Sequence, residues 1–121
     1  MAISTPTVKV FEVNQEVVGD RNVAVVANNE NMVVLAHVWQ KGGETALHSH
    51  HSSDASWVVV QGQVTFYGEG DSILGKLERG GGIFIPRNTK YWFESTADEP
   101  LMMIRSASKN GANTTDDRVY A

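Results

Sequence analysis

The sequence predicts an all-β domain, a sandwich or a barrel, and three observations carry that expectation. Apolar residues fall at every second position or in short unbroken runs, Gly, Asn and Asp clusters separate them, and helix signals are nearly absent. The first alternating segment covers residues 8–13. Strand patterns follow at 22–27, 31–39, 56–60, 64–67, 73–77, 82–85, 91–94 and 101–105. Between them stand Gly19-Asp20, Asn28-Asn29, Lys41-Gly42-Gly43 and the stretches 68–71 and 79–82, residues that tolerate tight turns and positive φ. Many short strands at this spacing fit a closed or two-layered β architecture.

A chain of 121 residues with 41% hydrophobic content has room for one core, and no internal repeat or low-complexity run divides it. The expected organisation is one barrel domain over residues 1–107 and a tail over 108–121, loose or packed on a partner subunit, because apolar content falls after Gly111. Ten basic and 14 acidic residues leave a net charge of -4 without a long block of either sign, which argues against nucleic acid as a partner. With no cysteine, disulfides, thiolate zinc sites and cysteine nucleophiles are excluded. The first residues lack a basic start followed by an apolar run, and no stretch is long and apolar enough to span a bilayer, so a cytoplasmic protein without a membrane partner is expected.

The residues that could carry chemistry cluster after the Gly-Gly turn. His48, His50 and His51 lie within four positions, and strand geometry sends His48 and His50 to one face and His51 to the other. Two imidazoles on one face could hold an ion, with at least one further ligand from elsewhere, or the run could be no more than a polar strand end. The glycines at 80–82 precede a strand pattern and lack a following helix or Lys-Ser/Thr pair, so they make a turn and not a phosphate cradle.

Gly42, His48, His50 and Gly62, with Ala55 where a glutamate would stand, resemble the first motif of the cupins. Gly80 and Pro86 match the start of that family's second motif, whose later glycine, histidine and asparagine positions are here Asn88, Tyr91 and Ser95. The resemblance, to small single-domain cupins of the RmlC-like jelly-roll superfamily, implies a double-stranded β-helix and a metal site of three histidines and a glutamate. Of that set this chain keeps His48 and His50, with Tyr91 at the position of the missing histidine, and such a degenerate site would take a divalent iron, manganese, nickel or zinc ion. Asp54, one place before the lost glutamate, would face the wrong way unless the strand bulges.

In the family's register Ala55, Trp57 and Val59 face inward, opposite Tyr91 and Phe93, and Leu35, His37 and Trp39 share an inward face. Trp39, Trp57 and Phe93 are then either substrate contacts or plain core, and His37 either a catalytic group beside Tyr91 or a satisfied core histidine. The expected function is a small-molecule-binding cupin, an enzyme using a metal held by His48 and His50 on an oxygenated organic substrate. Its alternative is a metal-free cupin that binds a ligand without catalysis. The family implies oxygenase, isomerase or cyclase, and decarboxylase chemistries, and a homodimer. Without metal, the same histidines could act as a general base and Tyr91 as proton donor.

Overall fold

The computed structural model describes residues 7–14, 19–110 and 117–121. Ten strands are present among the described residues: β1 (Arg21–Asn28), β2 (Met32–Trp39), β3 (His48–His50), β4 (Ala55–Gln61), β5 (Gln63–Tyr67), β6 (Ile73–Glu78), β7 (Gly82–Ile85), β8 (Trp92–Ser95), β9 (Leu101–Ser108) and β10 (Arg118–Tyr120). They form a five-stranded sheet in the order β1-β2-β9-β4-β7, a three-stranded sheet β6-β5-β8 and the pair β10-β3. Every strand pair is antiparallel. The all-β expectation holds, and no described helix is long and apolar enough to cross a membrane.

The period-two pattern becomes packing most plainly in β9, where Leu101, Met103, Arg105 and Ala107 are buried and the residues between them are half-buried. Their partners across the sheet follow the same parity: Arg105 lies opposite Leu35 on β2 and Trp57 on β4, and Met103 opposite His37 and Val59. These inward faces meet Val64 and Phe66 of β5 and Phe93 of β8 in the main core, and Val33, Ala55 and Ala107, with Leu35 packed on them, form a second, smaller cluster. Two turn positions of the motifs have clear physical causes. Gly62 has φ +86°, and a Cβ there would lie 2.9 Å from the Pro100 carbonyl oxygen. Asn88, at the family's glycine position, has φ 66°, a conformation asparagine tolerates better than most residues.

Two expectations change, for the segment at 8–13 and for the tail, and the histidine run gains a strand partner. The alternating segment at 8–13 is not a strand, and Val8 and Val10 are each 89% exposed. Alternation determines which side of a strand would be apolar, but without ladder hydrogen bonds it does not make one. The run at His48–His50 is itself a strand, and its partner β10 lies in the tail. That tail was expected to be loose or packed on another subunit. Residues 111–116 lie outside the described residues, whereas 117–121 fold back within the same chain, with Arg118 opposite His50 and Tyr120 opposite His48. The pairing supplies backbone partners for β3, which would otherwise be a bare polar edge.

Candidate active site

Strand β3 is held from both sides. On one side β10 pairs with it along its length. On the other, His48 and Tyr91 exchange two backbone hydrogen bonds, of 3.1 Å from the His48 N–H and 2.8 Å from the Tyr91 N–H. This registers the Tyr91 side chain against the histidines, with its ring centroid 4.4 Å from that of His48 and 6.2 Å from that of His50. The two imidazoles are 5.3 Å apart, centroid to centroid. All three side chains are buried. His51 is exposed on the opposite face, as parity requires.

The hydrogen bonds select the tautomers. His48 Nδ1 lies 2.8 Å from the Ala46 carbonyl oxygen, which can only accept, so Nδ1 carries the proton. His50 Nδ1 lies 2.6 Å from Asp117 Oδ1. Burial alone would raise the Asp117 pKa, but hydrogen bonds from His50, the Ser52 hydroxyl and the Ser52 N–H hold it well below the usual carboxylate range. Asp117 is therefore ionised and accepts the His50 Nδ1 proton. Both imidazoles are left with an unprotonated Nε2, which for His48 is buried without a hydrogen-bond partner. Burial is the main reason the His48 pKa is lowered, and it brings His50 down to about 4 even though Asp117 pulls the other way. Burial likewise pushes the Tyr91 hydroxyl well above the ordinary phenol value. Near neutral pH the site thus holds two neutral bases and one protonated phenol.

Arg105 and His37 complete the interior. Arg105 is 4% exposed, its guanidinium carbon lies 5.7 Å from the centroid of the Trp57 ring, and its Nε and Nη2 have no hydrogen-bond partner among the described residues. His37 stands edge-on to Trp57 at 4.7 Å with both ring nitrogens unpartnered. Burial, followed by the charge of Arg105, drives its pKa to about 3. A crevice too narrow to admit a water molecule is lined by His50, Ser53, Ala55, Thr89, Tyr91 and Arg105, with Ile85 and Pro86. A wider recess of about 210 Å³ lies outside His48 and Tyr120, among Arg21, residues 43–46 and Arg118.

The structure brings together His48, His50 and Tyr91. It places Trp39, Trp57 and Phe93 in the core cluster, where Trp57 and Phe93 pack at 5.2 Å, and none of the three lines the crevice. His37 belongs to the same interior as a neutral, unpartnered side chain and does not line the crevice. Sequence reasoning missed Asp117, Ser53 and Arg105. For Arg105 a signal existed: it is a charged residue at an inward position of the 101–105 pattern.

Whether these residues suit a metal can be judged from the donors. His48 and His50 have the tautomers that ligands need, each tied at Nδ1 by an acceptor. Among the described residues a third donor is lacking. Ala55 occupies the glutamate position, the Tyr91 phenol resists ionisation, and Asp54 is bound to Arg87 at 2.8 Å. Glu44 Oε1 lies 3.7 Å from His48 Nε2 and shares its carboxylate with Arg118. Among the described residues no group of three His, Cys, Asp or Glu could hold an ion. The described residues therefore supply two imidazole ligands and do not fit a centre with three or more protein ligands.

A family model described as a cupin domain matches residues 35–105. Among solved structures, the chain is similar to a Klebsiella pneumoniae protein described as having a double-stranded β-helix domain, at 18% identity over 95% of this chain and 98% of that one, with a TM-score of 0.76. It is also similar to Pac13, described as a unique nucleoside dehydratase, at 16% identity over 84% of this chain and 78% of that one, TM-score 0.67. The Streptomyces Pac13 has been solved with uridine as variants in which a tyrosine is replaced by phenylalanine or a histidine by glutamine. KdgF from Halomonas sp. shares 20% identity over 78% of this chain and 85% of that one, TM-score 0.65. At these identities the likeness shows a common fold. No curated protein matches the chain.

Proposed function

The chain belongs to the cupin domain family, and from that premise we propose that it binds a small oxygenated organic molecule at the β3 end of the barrel and transfers a proton on it. The observation that carries the reading is the pairing of two imidazoles presenting unprotonated Nε2 with a phenol held protonated, all buried within a few ångströms of one another. His50 is the base. Asp117 holds its Nδ1 proton and stabilises the imidazolium that forms when Nε2 takes a proton from substrate. Tyr91 is the acid, returning a proton to a developing alkoxide or leaving hydroxyl, and the low-dielectric surroundings strengthen both interactions. Isomerisation and dehydration are the reaction classes this pair serves. Pac13, a dehydratase on the same fold, was studied with a tyrosine or a histidine exchanged.

The test is a panel of small hydroxy and oxo compounds, uridine among them, incubated with untagged protein and EDTA in D2O and followed by NMR. The expected result is deuterium uptake or loss of water in at least one compound, slowed roughly 100-fold or more by His50→Gln and by Tyr91→Phe. A second reading, a divalent ion held by His48 and His50, is favoured by the Nδ1 anchoring of both rings. Near-stoichiometric iron, manganese, nickel or zinc that disappears in the His48→Ala, His50→Ala double variant, with turnover abolished by the chelator, would replace the first reading by the second.

We also propose a homodimer. Phe84 is 66% exposed on β7 and Val58 43% exposed on β4, and β1 ends its sheet with Val25 61% exposed. Exposed apolar side chains on the β4-β7 side of a sheet are what an isologous contact covers. Light scattering on dilute protein is expected to give twice the chain mass of 13.2 kDa; the monomer mass would rule the dimer out.

A further inference from the structure

We infer that the ligand of this crevice is a small carboxylic acid whose carboxylate docks on Arg105. The inference rests on the proposal that the crevice binds substrate, and it adds the substrate's class. A guanidinium keeps its charge at any physiological pH, and moving it out of water is costly unless an anion and hydrogen bonds replace the water. Arg105 is 4% exposed and makes none of the ion pairs found among the described residues, and its Nε and Nη2 donate to nothing. The Trp57 face compensates part of that cost. The other groups nearby do not: His37, His50 and Tyr91 are neutral near pH 7, and the buried carboxylate of Asp117 is taken up by His50 and Ser52.

Two more donors share the crevice with Arg105. Among the described residues the hydroxyl of Ser53, 2% exposed, has no partner, and that of Tyr91, 1% exposed, has nothing to donate to. An excess of unpaired donors around one cation calls for an acceptor-rich anion. A carboxylate suits it better than a phosphate: Arg105 is the one cation among the lining residues, matching a single negative charge, and its planar fork matches a planar anion. The crevice is closed to a water molecule in this structure, so the acid enters only as the lining side chains part, and its neighbouring carbon would then lie beside His50 and Tyr91, which line the same crevice. Outside, Arg21 and Arg118 line the wider recess, with Glu44 as the opposing charge beside Arg118.

The experiment uses intrinsic tryptophan fluorescence, which Trp57 beneath the guanidinium makes responsive to the site. Wild-type protein is titrated with pyruvate and lactate, with the uncharged analogue lactamide, and with inorganic phosphate. Saturable binding of an acid is expected, about tenfold or more tighter than lactamide and tighter than phosphate. Arg105→Gln should weaken acid binding roughly 100-fold, and Arg105→Lys should recover only part of it. Because misfolding of Arg105→Gln would also abolish binding, Arg105→Met serves as the second variant: removing an unpaired buried charge should raise the melting temperature of the ligand-free protein. Four results would each overturn the inference: no saturable response to the acids, equal binding of lactamide, tighter binding of phosphate, or a lower melting temperature for Arg105→Met. Uncharged compounds turned over through His50 and Tyr91 without acid binding would defeat this inference alone. Acids that bind through Arg105 while nothing is turned over would defeat the proton-transfer reading alone.

Discussion

Acidification from pH 7 to pH 4 is expected to bring the barrel to the edge of unfolding, and the loss should begin near pH 6.5. In the unfolded chain each histidine titrates near its ordinary value of about 6.5. In the folded chain His50 resists protonation until about pH 4 and His37 until about pH 3, both chiefly because burial disfavours the charged ring. The charges around them point the same way, since Arg105 lowers both, and Arg21 and Arg118 lower His37; Asp117 alone works against the trend at His50. Between these values the unfolded chain binds more protons, so stability rises with pH across the window. The histidine contribution is whole above pH 6.5 and is lost as the pH falls through 4 for His50 and towards 3 for His37.

Each histidine forfeits on the order of 1.4 kcal/mol per pH unit inside its window. His48, also lowered, adds to the loss. Together these terms reach several kcal/mol, a large part of the roughly 5–15 kcal/mol that holds a domain of this kind. Urea denaturation at half-unit pH intervals would show the midpoint falling steadily below pH 6.5. A midpoint unchanged between pH 7 and pH 4.5 would mean that these rings are hydrated, and the account of a dry, neutral site would be wrong. In His37→Phe the slope should flatten, because one proton-binding difference has been removed.

Trp57→Ala should be the most damaging single substitution in the core, at about 3–5 kcal/mol. Trp57 has no exposed surface, and its ring meets His37 at 4.7 Å, Phe93 at 5.2 Å and Phe66 at 5.7 Å. It also lies under the Arg105 guanidinium. The truncation would therefore leave a cavity between the two larger sheets and strip a buried cation of its aromatic support. Trp57→Phe, which keeps an aromatic face there, should cost clearly less. The measurement is the urea midpoint with an unchanged slope. A loss below about 1 kcal/mol for the alanine variant would show that the side chain is more accessible to water than its burial implies.

Much of the fold was readable from the chain because the signals were local. The 82–85 run became β7 with the same bounds, and the 31–39 run became β2 one residue shorter. Strand β9 runs three residues past the expected end, to Ser108, because it is paired on both sides, with β2 and β4. The 8–13 alternation failed for the opposite reason: a partner edge is a property of the folded chain and not of the segment. Inward parity placed His48, His50, Trp57 and Phe93 together in the barrel, and the motif spacing brought Tyr91 to the histidines.

What the sequence determined by itself was the alternation, the turn chemistry and the spacing of His48, His50 and Tyr91, since each depends on residues close in the chain or on a register that period-two geometry propagates. Only the tertiary structure decided the state of those groups. Asp117 reaches His50 across 67 positions, from a polar stretch whose composition suggested a loose tail. Arg105 is left unpaired because of what surrounds it on β2 and β4. Charge, tautomer and proton affinity depend on burial and on partners brought from distant parts of the chain, so they exist only once the barrel has closed.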